Sequence, residues 1–289
     1  MTRFTLGSLV LITLALLFGA PRAAHAAESY DNCTGFITSL PATISTQGTW
    51  CLKQDVATAI TSGVAITIAT NNVTIDCNDF KVGGLAAGAG TLTNGIAATA
   101  RFNATVRHCN IRGFYFGISF DGAGGGHVVE DNRFDGNTGY GIYVVGDGSV
   151  VRRNRVFDTG DSTGFVDAYG IYVYDSVDVL NNTVSGVIAH AGGAGNATGI
   201  YTEQNLSGRI IGNGVSGLVK DGVGITRGIY NYFSGHAVLR NNDVVGDGGV
   251  GSIGLRCTDS NAGARDNVIG SFASAFSSCT DSGGNTVIP

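Results

Sequence analysis

Charge and proline are both scarce in this chain. Only 13% of its 289 residues are charged, where ~25% is usual in a globular protein, and only three are proline. Low charge with 43% apolar residues excludes intrinsic disorder, which needs the opposite balance. Basic residues are in the minority, 17 against 22 acidic, for a formal charge of −5. That excludes the basic patch expected of a nucleic-acid binder. Long apolar runs are absent beyond Leu9–Phe18, which is too short to span a bilayer comfortably. No segment shows a sustained helical period, so helical bundles are excluded too.

What is present in excess is glycine, 46 residues, and much of it recurs in register. Gly95-Ile96, Gly117-Ile118, Gly141-Ile142, Gly170-Ile171, Gly199-Ile200 and Gly228-Ile229 follow one another at 22 to 29 residues, with Gly254-Leu255 as a seventh copy. A second beat, Asn-x-apolar, follows each copy. It reads Asn78/Phe80, Asn132/Phe134, Asn154/Val156, Asn182/Val184, Asn213/Val215, Asn242/Val244, Asn267/Ile269 and Asn285/Val287, with Cys109/Ile111 in the same slot of the second rung. Repeats of this length stack into a solenoid, each unit burying its apolar face on the next. Each Gly is expected to allow a tight bend, and the Asn residues to take the left-handed conformation at one corner and form a hydrogen-bonded ladder. Two strands, an Asn corner, a third strand and a variable loop describe an all-β, single-stranded right-handed parallel β-helix. Ile171→Asp or Ile200→Asp is expected to abolish folding, and loss of one ladder Asn to cost about 1–2 kcal/mol.

The N-terminus reads as a secretory leader over 1–26: Arg3, the apolar run, then Ala24-His25-Ala26 as a small-x-small cleavage site. Its removal leaves a net charge of −7. Export to a periplasm or the exterior fits six cysteines, expected as disulfides. Cys257 and Cys279 each begin Cys-Thr-Asp-Ser one rung apart, and Cys33–Cys51 and Cys77–Cys109 are the natural remaining pairs. Residues 27–63 are expected to form an N-terminal cap and first coil, and 64–289 the β-helix. A monomer with no membrane span after leader cleavage is expected.

Three consecutive connections from the third strand to the next Gly are enlarged: 13 residues after Val156, 14 after Val184 and 12 after Val215, against 5, 6 and 9 after Ile111, Phe134 and Val244. Long ordered loops in a compact domain are commonly functional. They flank a face carrying Tyr143, Tyr172, Tyr201 and Tyr230 at one outward position, with Tyr174, Glu203 and Tyr232 two residues on. Such a row is either an aromatic platform for sugar rings or a structural ladder shielding strand backbones. Glu203 and Asp175, on neighbouring rungs, could supply the two carboxylates of a glycoside hydrolase. Gly160-Asp161-Ser162-Thr163-Gly164 spells a nucleophile elbow, but no strand–helix context surrounds it, so it reads as chance.

The rung pattern resembles the right-handed parallel β-helix repeat family of the pectate-lyase-like superfamily, from about Val64 to Pro289. The resemblance implies a pectin-lyase-like fold and a polysaccharide partner. In its acidic-sugar lyases a basic side chain takes the C5 proton, which implies Lys220 or Arg227 here. Acidic residues and Ca2+ neutralise the uronate, which implies Asp161, Asp167 and Asp175 as ligands. The signatures of its enzymes are missing: neither the Asn-Thr-Asp, Gly-His-Gly and Arg-Ile-Lys set of polygalacturonases nor the Asp-Pro-His of alginate epimerases occurs. Two functions follow as expectations: a secreted protein that binds or cleaves a polysaccharide as lyase or hydrolase, or a non-catalytic structural or adhesive module. Ice binding would want a flat Thr-x-Thr array, which the Tyr row replaces.

Overall fold

A computed structural model describes residues 30–204, 207–233, 235–258 and 261–289. The expected leader lies outside the described residues. Every strand pairing is parallel, and hydrogen-bonded neighbours are one coil apart, in three sheets of ten, eleven and ten strands. The first sheet holds the Gly-Ile strands, among them Phe116–Asp121, Tyr140–Val145, Ala168–Tyr174, Ala197–Glu203 and Thr226–Tyr232. The second holds the strands before the Asn corner, such as Asp178–Leu180, and the third those after it, such as Thr183–Ile188. Apart from one 3-10 turn at Leu85–Ala87, no helix is found among the described residues, and none is long and apolar enough to cross a membrane. The sheets already include Gly35–Phe36, Ala42–Ile44 and Gly48–Cys51, so coil pairing begins inside the segment expected as the cap.

The stacked core follows the sequence beats. Ile66, Ile96, Ile118, Ile142, Ile171, Ile200, Ile229 and Leu255 lie in register down the first sheet, each fully buried. Ile111, Phe134, Val156, Val184, Val215, Val244 and Ile269 do the same in the third. Burial of each such side chain contributes about 1.5–3 kcal/mol. The first Asn beat is off register: Ile111 pairs with Val82, not Phe80, so Asn78/Phe80 is not part of the column.

The Gly before each Ile has a different job from the expected bend. A Cβ at Gly141 would meet Val156 Cγ1 at 2.5 Å and Gly170 O at 2.6 Å, and Gly170 and Gly199 meet Val184 and Val215 in the same way. Glycine is required there because the third-strand Val packs against bare backbone, not because φ is positive.

The Asn ladder forms, with its own correction. Asn132, Asn154, Asn182, Asn213, Asn242 and Asn267 are all buried. The Oδ1 of Asn182 accepts from Asn154 N at 2.9 Å and Asn154 Nδ2 at 3.0 Å, while Asn182 Nδ2 donates to Val151 O at 2.9 Å. The unit repeats to Asn285 and ends on the N–H of Cys109, which donates to Asn132 Oδ1 at 2.9 Å. The left-handed residue is the one before the Asn: Asp131, Arg153, Asn181, Gly212, Asn241 and Asp266 have φ between 53° and 70°. Arg152 and Arg153 at this corner pair with Glu130 and Asp131. Disulfides join Cys33–Cys51, Cys77–Cys109 and Cys257–Cys279, with Cα–Cα distances of 5.9, 4.7 and 4.8 Å, and no described cysteine is free.

Candidate functional site

The enlarged connections are partly strand. Arg155–Gly160, Thr183–Ile188 and Gly214–Val219 run six residues each, twice the length of most third-sheet strands. They kink at a stacked left-handed column of Asp158, Gly186 and Gly217, with φ of 47°, 74° and 63°. Thr159, Val187 and Leu218 then point back into the core, and all are buried. What remains as loop is 161–167, 189–196 and 220–225, and these segments bond to one another. His190 Nδ1 lies 2.7 Å from Asp161 Oδ1, and Asp221 accepts from the N–H groups of Gly192 and Gly193. Phe165 stands against Tyr115, 4.8 Å between ring centres, and so ties this wall to the aromatic face.

That face is broader than the sequence row. One outward column runs Tyr143, Tyr172, Tyr201, Tyr230 and Arg256. A second, just before each Gly-Ile, runs Phe116, Tyr140, Tyr169, Thr198 and Arg227. Phe116, Tyr140 and Tyr169 stack nearly flat, with centroids 4.4 and 4.9 Å apart and planes within 18° and 12°. Tyr172 lies 5.3 Å from Tyr143 and 4.5 Å from Tyr201. Sequence reasoning missed Tyr140 and Tyr169 because only the residue after Gly-Ile was followed; the residue before the Gly carried the same signal. Tyr174 and Tyr232 occupy a third column with Glu203 between them.

Crowding sets the electrostatics. Burial, then Asp121, Tyr140 and Glu203, push the Tyr143 hydroxyl up to about 12. Tyr169, Tyr172 and Tyr201 are raised further, mainly by burial, and Tyr172 also donates its hydroxyl hydrogen to Glu203. These hydroxyls therefore remain protonated donors at any physiological pH. Tyr230 departs from the expected open row. It is 8% exposed and covered by two guanidinium groups, Arg227 at 5.2 Å and Arg256 at 4.7 Å from its ring centre.

The other ionisable candidates separate. Lys220 lies in the wall and donates to Gly222 O at 2.8 Å. Asp167 Oδ1 accepts from Asn196 N and Nδ2 at 2.8 and 2.9 Å, and its Oδ2 faces the Tyr169 hydroxyl at 3.5 Å. Asp175 sits at the far end of the same strand, beyond Tyr174. Its carboxyl is raised by burial and by Asp147. The seven residues of Ala168–Tyr174 hold Asp167 and Asp175 roughly 25 Å apart, and Asp161 pairs with His190. Hard cations need several oxygen ligands at one point. The three aspartates do not fit a shared Ca2+, and no cluster of three or more His, Cys, Asp or Glu suited to a metal occurs among the described residues. Ser162 is buried in its loop and no helix follows, so the Gly-x-Ser-x-Gly match carries no nucleophile. A cleft of about 360 Å³ on the outer face of the third sheet is lined by Lys81, Arg112 and Arg133 with Asp55, Asp79 and Asp135.

No protein of curated function matches the chain by sequence. Among solved structures it is similar to the A-module of mannuronan C-5 epimerase AlgE6 from Azotobacter vinelandii, at 10% identity and TM-score 0.46 over 90% of this chain and 92% of that one. It is also similar to an alginate lyase from Paenibacillus sp., at 12% identity and TM-score 0.45 over 89% and 99%. A third likeness is to the Dettilon tailspike protein, at 14% identity and TM-score 0.44 over 88% and 60%. These likenesses concern the course of the chain. Residues 56–195 match the family described as right handed beta helix region. With three parallel sheets wound around one stacked core, the chain folds as a right-handed parallel β-helix, and residues 56–195 carry the match to that repeat family.

Proposed function

We propose that the Tyr face of the first sheet binds a polysaccharide, and that the protein works outside the cytoplasm. The observation that carries this reading is the continuous, half-buried surface from Phe116 through Tyr140, Tyr143, Tyr169, Tyr172 and Tyr201. Its rings offer flat apolar area, and its hydroxyls are protonated donors. The rungs repeat every ~4.8 Å, close to the length of one sugar unit along a chain. Three disulfides suit an oxidising compartment.

Binding is the primary activity in this reading, because Lys220, Asp161 and Asp167 are each held in a structural contact of their own. A second reading, hydrolysis, rests on one observation. Burial and Asp147 raise the Asp175 carboxyl from its ordinary value, the direction a general acid needs, and beside burial both it and Glu203 oppose ionisation of Tyr174. Incubation with neutral and uronate polysaccharides, with and without Ca2+, tests both. Retention of a polysaccharide without product supports binding. New reducing ends that disappear in Asp175→Asn or Glu203→Gln support hydrolysis. Unsaturated-uronate absorbance would instead establish a lyase. Neither retention nor product on any polymer sinks the carbohydrate reading.

A further inference from the structure

The Tyr row does not end in another ring. In register with Tyr169 come Thr198 and then Arg227, and in register with Tyr201 come Tyr230 and then Arg256. With Tyr230 covered, the two guanidinium groups form the surface on which the row terminates. Arg107, Arg112, Arg133, Arg152, Arg153, Arg209, Arg240 and Arg265 all stand within ion-pair distance of an Asp or Glu. Arg227 and Arg256, like Arg101 and Arg155 elsewhere on the coil, make no such pair among the described residues. The Nε of Arg227 is buried without a hydrogen-bond partner, and so is the hydroxyl of Thr198, one rung away on a side chain that is 0% exposed. Burial and the neighbouring Arg256 both act against the charge on Arg227. Two like charges side by side, neither paired with a carboxylate among the described residues, form an arrangement that an anion would relieve.

The rest of the face has the opposite sign. Glu203 takes the Tyr172 hydroxyl and Asp167 faces Tyr169, with no basic side chain in ion-pair contact with either among the described residues. A polymer with one carboxylate per sugar would set like charges over both. We infer that Arg227 and Arg256 form an oxyanion subsite at the end of the Tyr row, and that the glycan lying on the row carries an isolated anionic group there rather than a continuous run of uronates. This rests on the glycan reading of the row. The group is a carboxylate, a sulfate ester or a phosphate ester, all of which a guanidinium can grip with two parallel hydrogen bonds.

Calorimetric titration of the intact protein tests it. The probes are inorganic sulfate, inorganic phosphate, a neutral oligosaccharide retained by the protein, the same oligosaccharide with one terminal glucuronate or one terminal sulfate, and an oligogalacturonate of equal length. A singly charged chain should bind about tenfold or more tighter than the neutral one, the worth of a charge-assisted hydrogen-bond pair. Oligogalacturonate should bind no better than the neutral chain. Arg227→Gln with Arg256→Gln should abolish the preference for the charged chain over the neutral one. The rank of glucuronate against sulfate identifies the group. Equal affinity for neutral and singly charged chains overturns the subsite while leaving the row reading intact, and tighter binding of oligogalacturonate overturns the isolated charge. Arginine-dependent binding of sulfate or phosphate with no binding of any glycan keeps the subsite and sinks the row reading. The ligand comparison on the unaltered protein decides the matter even if the double variant fails to fold.

Discussion

At the scale of single residues, polar groups sealed inside the coil decide much of the stability. Removing Asn182 deletes four hydrogen bonds and leaves the Asn154 N–H buried without an acceptor. Asn182→Ala should therefore cost about 2–3 kcal/mol, above the 1–2 kcal/mol expected from the sequence, and denaturant unfolding measures it. Gly170→Ala should cost about 1–3 kcal/mol, because its methyl collides with Val184 and with Gly199 O. His127 adds a pH dependence. It is 1% exposed, its Nδ1 accepts from Ala104 N at 3.2 Å, and burial pulls its pKa down from 6.5 to about 4. The unfolded chain takes up the proton near pH 6.5 and the folded chain resists until about pH 4. Its contribution is thus full above pH 6.5 and is lost as pH falls to 4, by at most about 3 kcal/mol. The slope of stability against pH in that window should flatten in His127→Gln. An unchanged slope would remove His127 from the account.

At the scale of strands and loops, the sequence was legible where periodicity is strict. The Gly-Ile and Asn-x-apolar beats named the buried residues of two sheets, because inward positions of a stacked coil admit little else. Ile200→Asp would put an unpaired charge between Ile171 and Ile229, and secretion with far-ultraviolet dichroism should show no folded protein. The sequence was less legible where backbone geometry, not side-chain type, decides. The kink at Asp158, Gly186 and Gly217 converts half of each enlarged loop into strand, and its three residues share no single letter. The same limit hid the left-handed residue, which precedes the Asn and is Asp, Arg, Asn or Gly in turn. The Tyr140 and Tyr169 column lay in plain view in Tyr-Gly-Ile-Tyr.

At the scale of the whole molecule, the β-helix turns a rung repeat into a surface repeat, and one face gathers nearly all the stacked rings. The winding was readable because a buried column must recur once per coil. The site was readable only in part, since a row of Tyr does not reveal that its last ring lies under two arginines or that Asp167 and Asp175, two of the aspartates named for Ca2+, sit at opposite ends of a strand. The central claim is that the exposed rings hold a glycan. The most direct measurement is polysaccharide affinity electrophoresis of the intact protein beside Tyr172→Ala with Tyr201→Ala, both first shown to be folded by their melting curves. The account predicts retardation of the intact protein by at least one polysaccharide and its loss, by about tenfold or more in affinity, in the double variant. Equal retardation of the two proteins would contradict it.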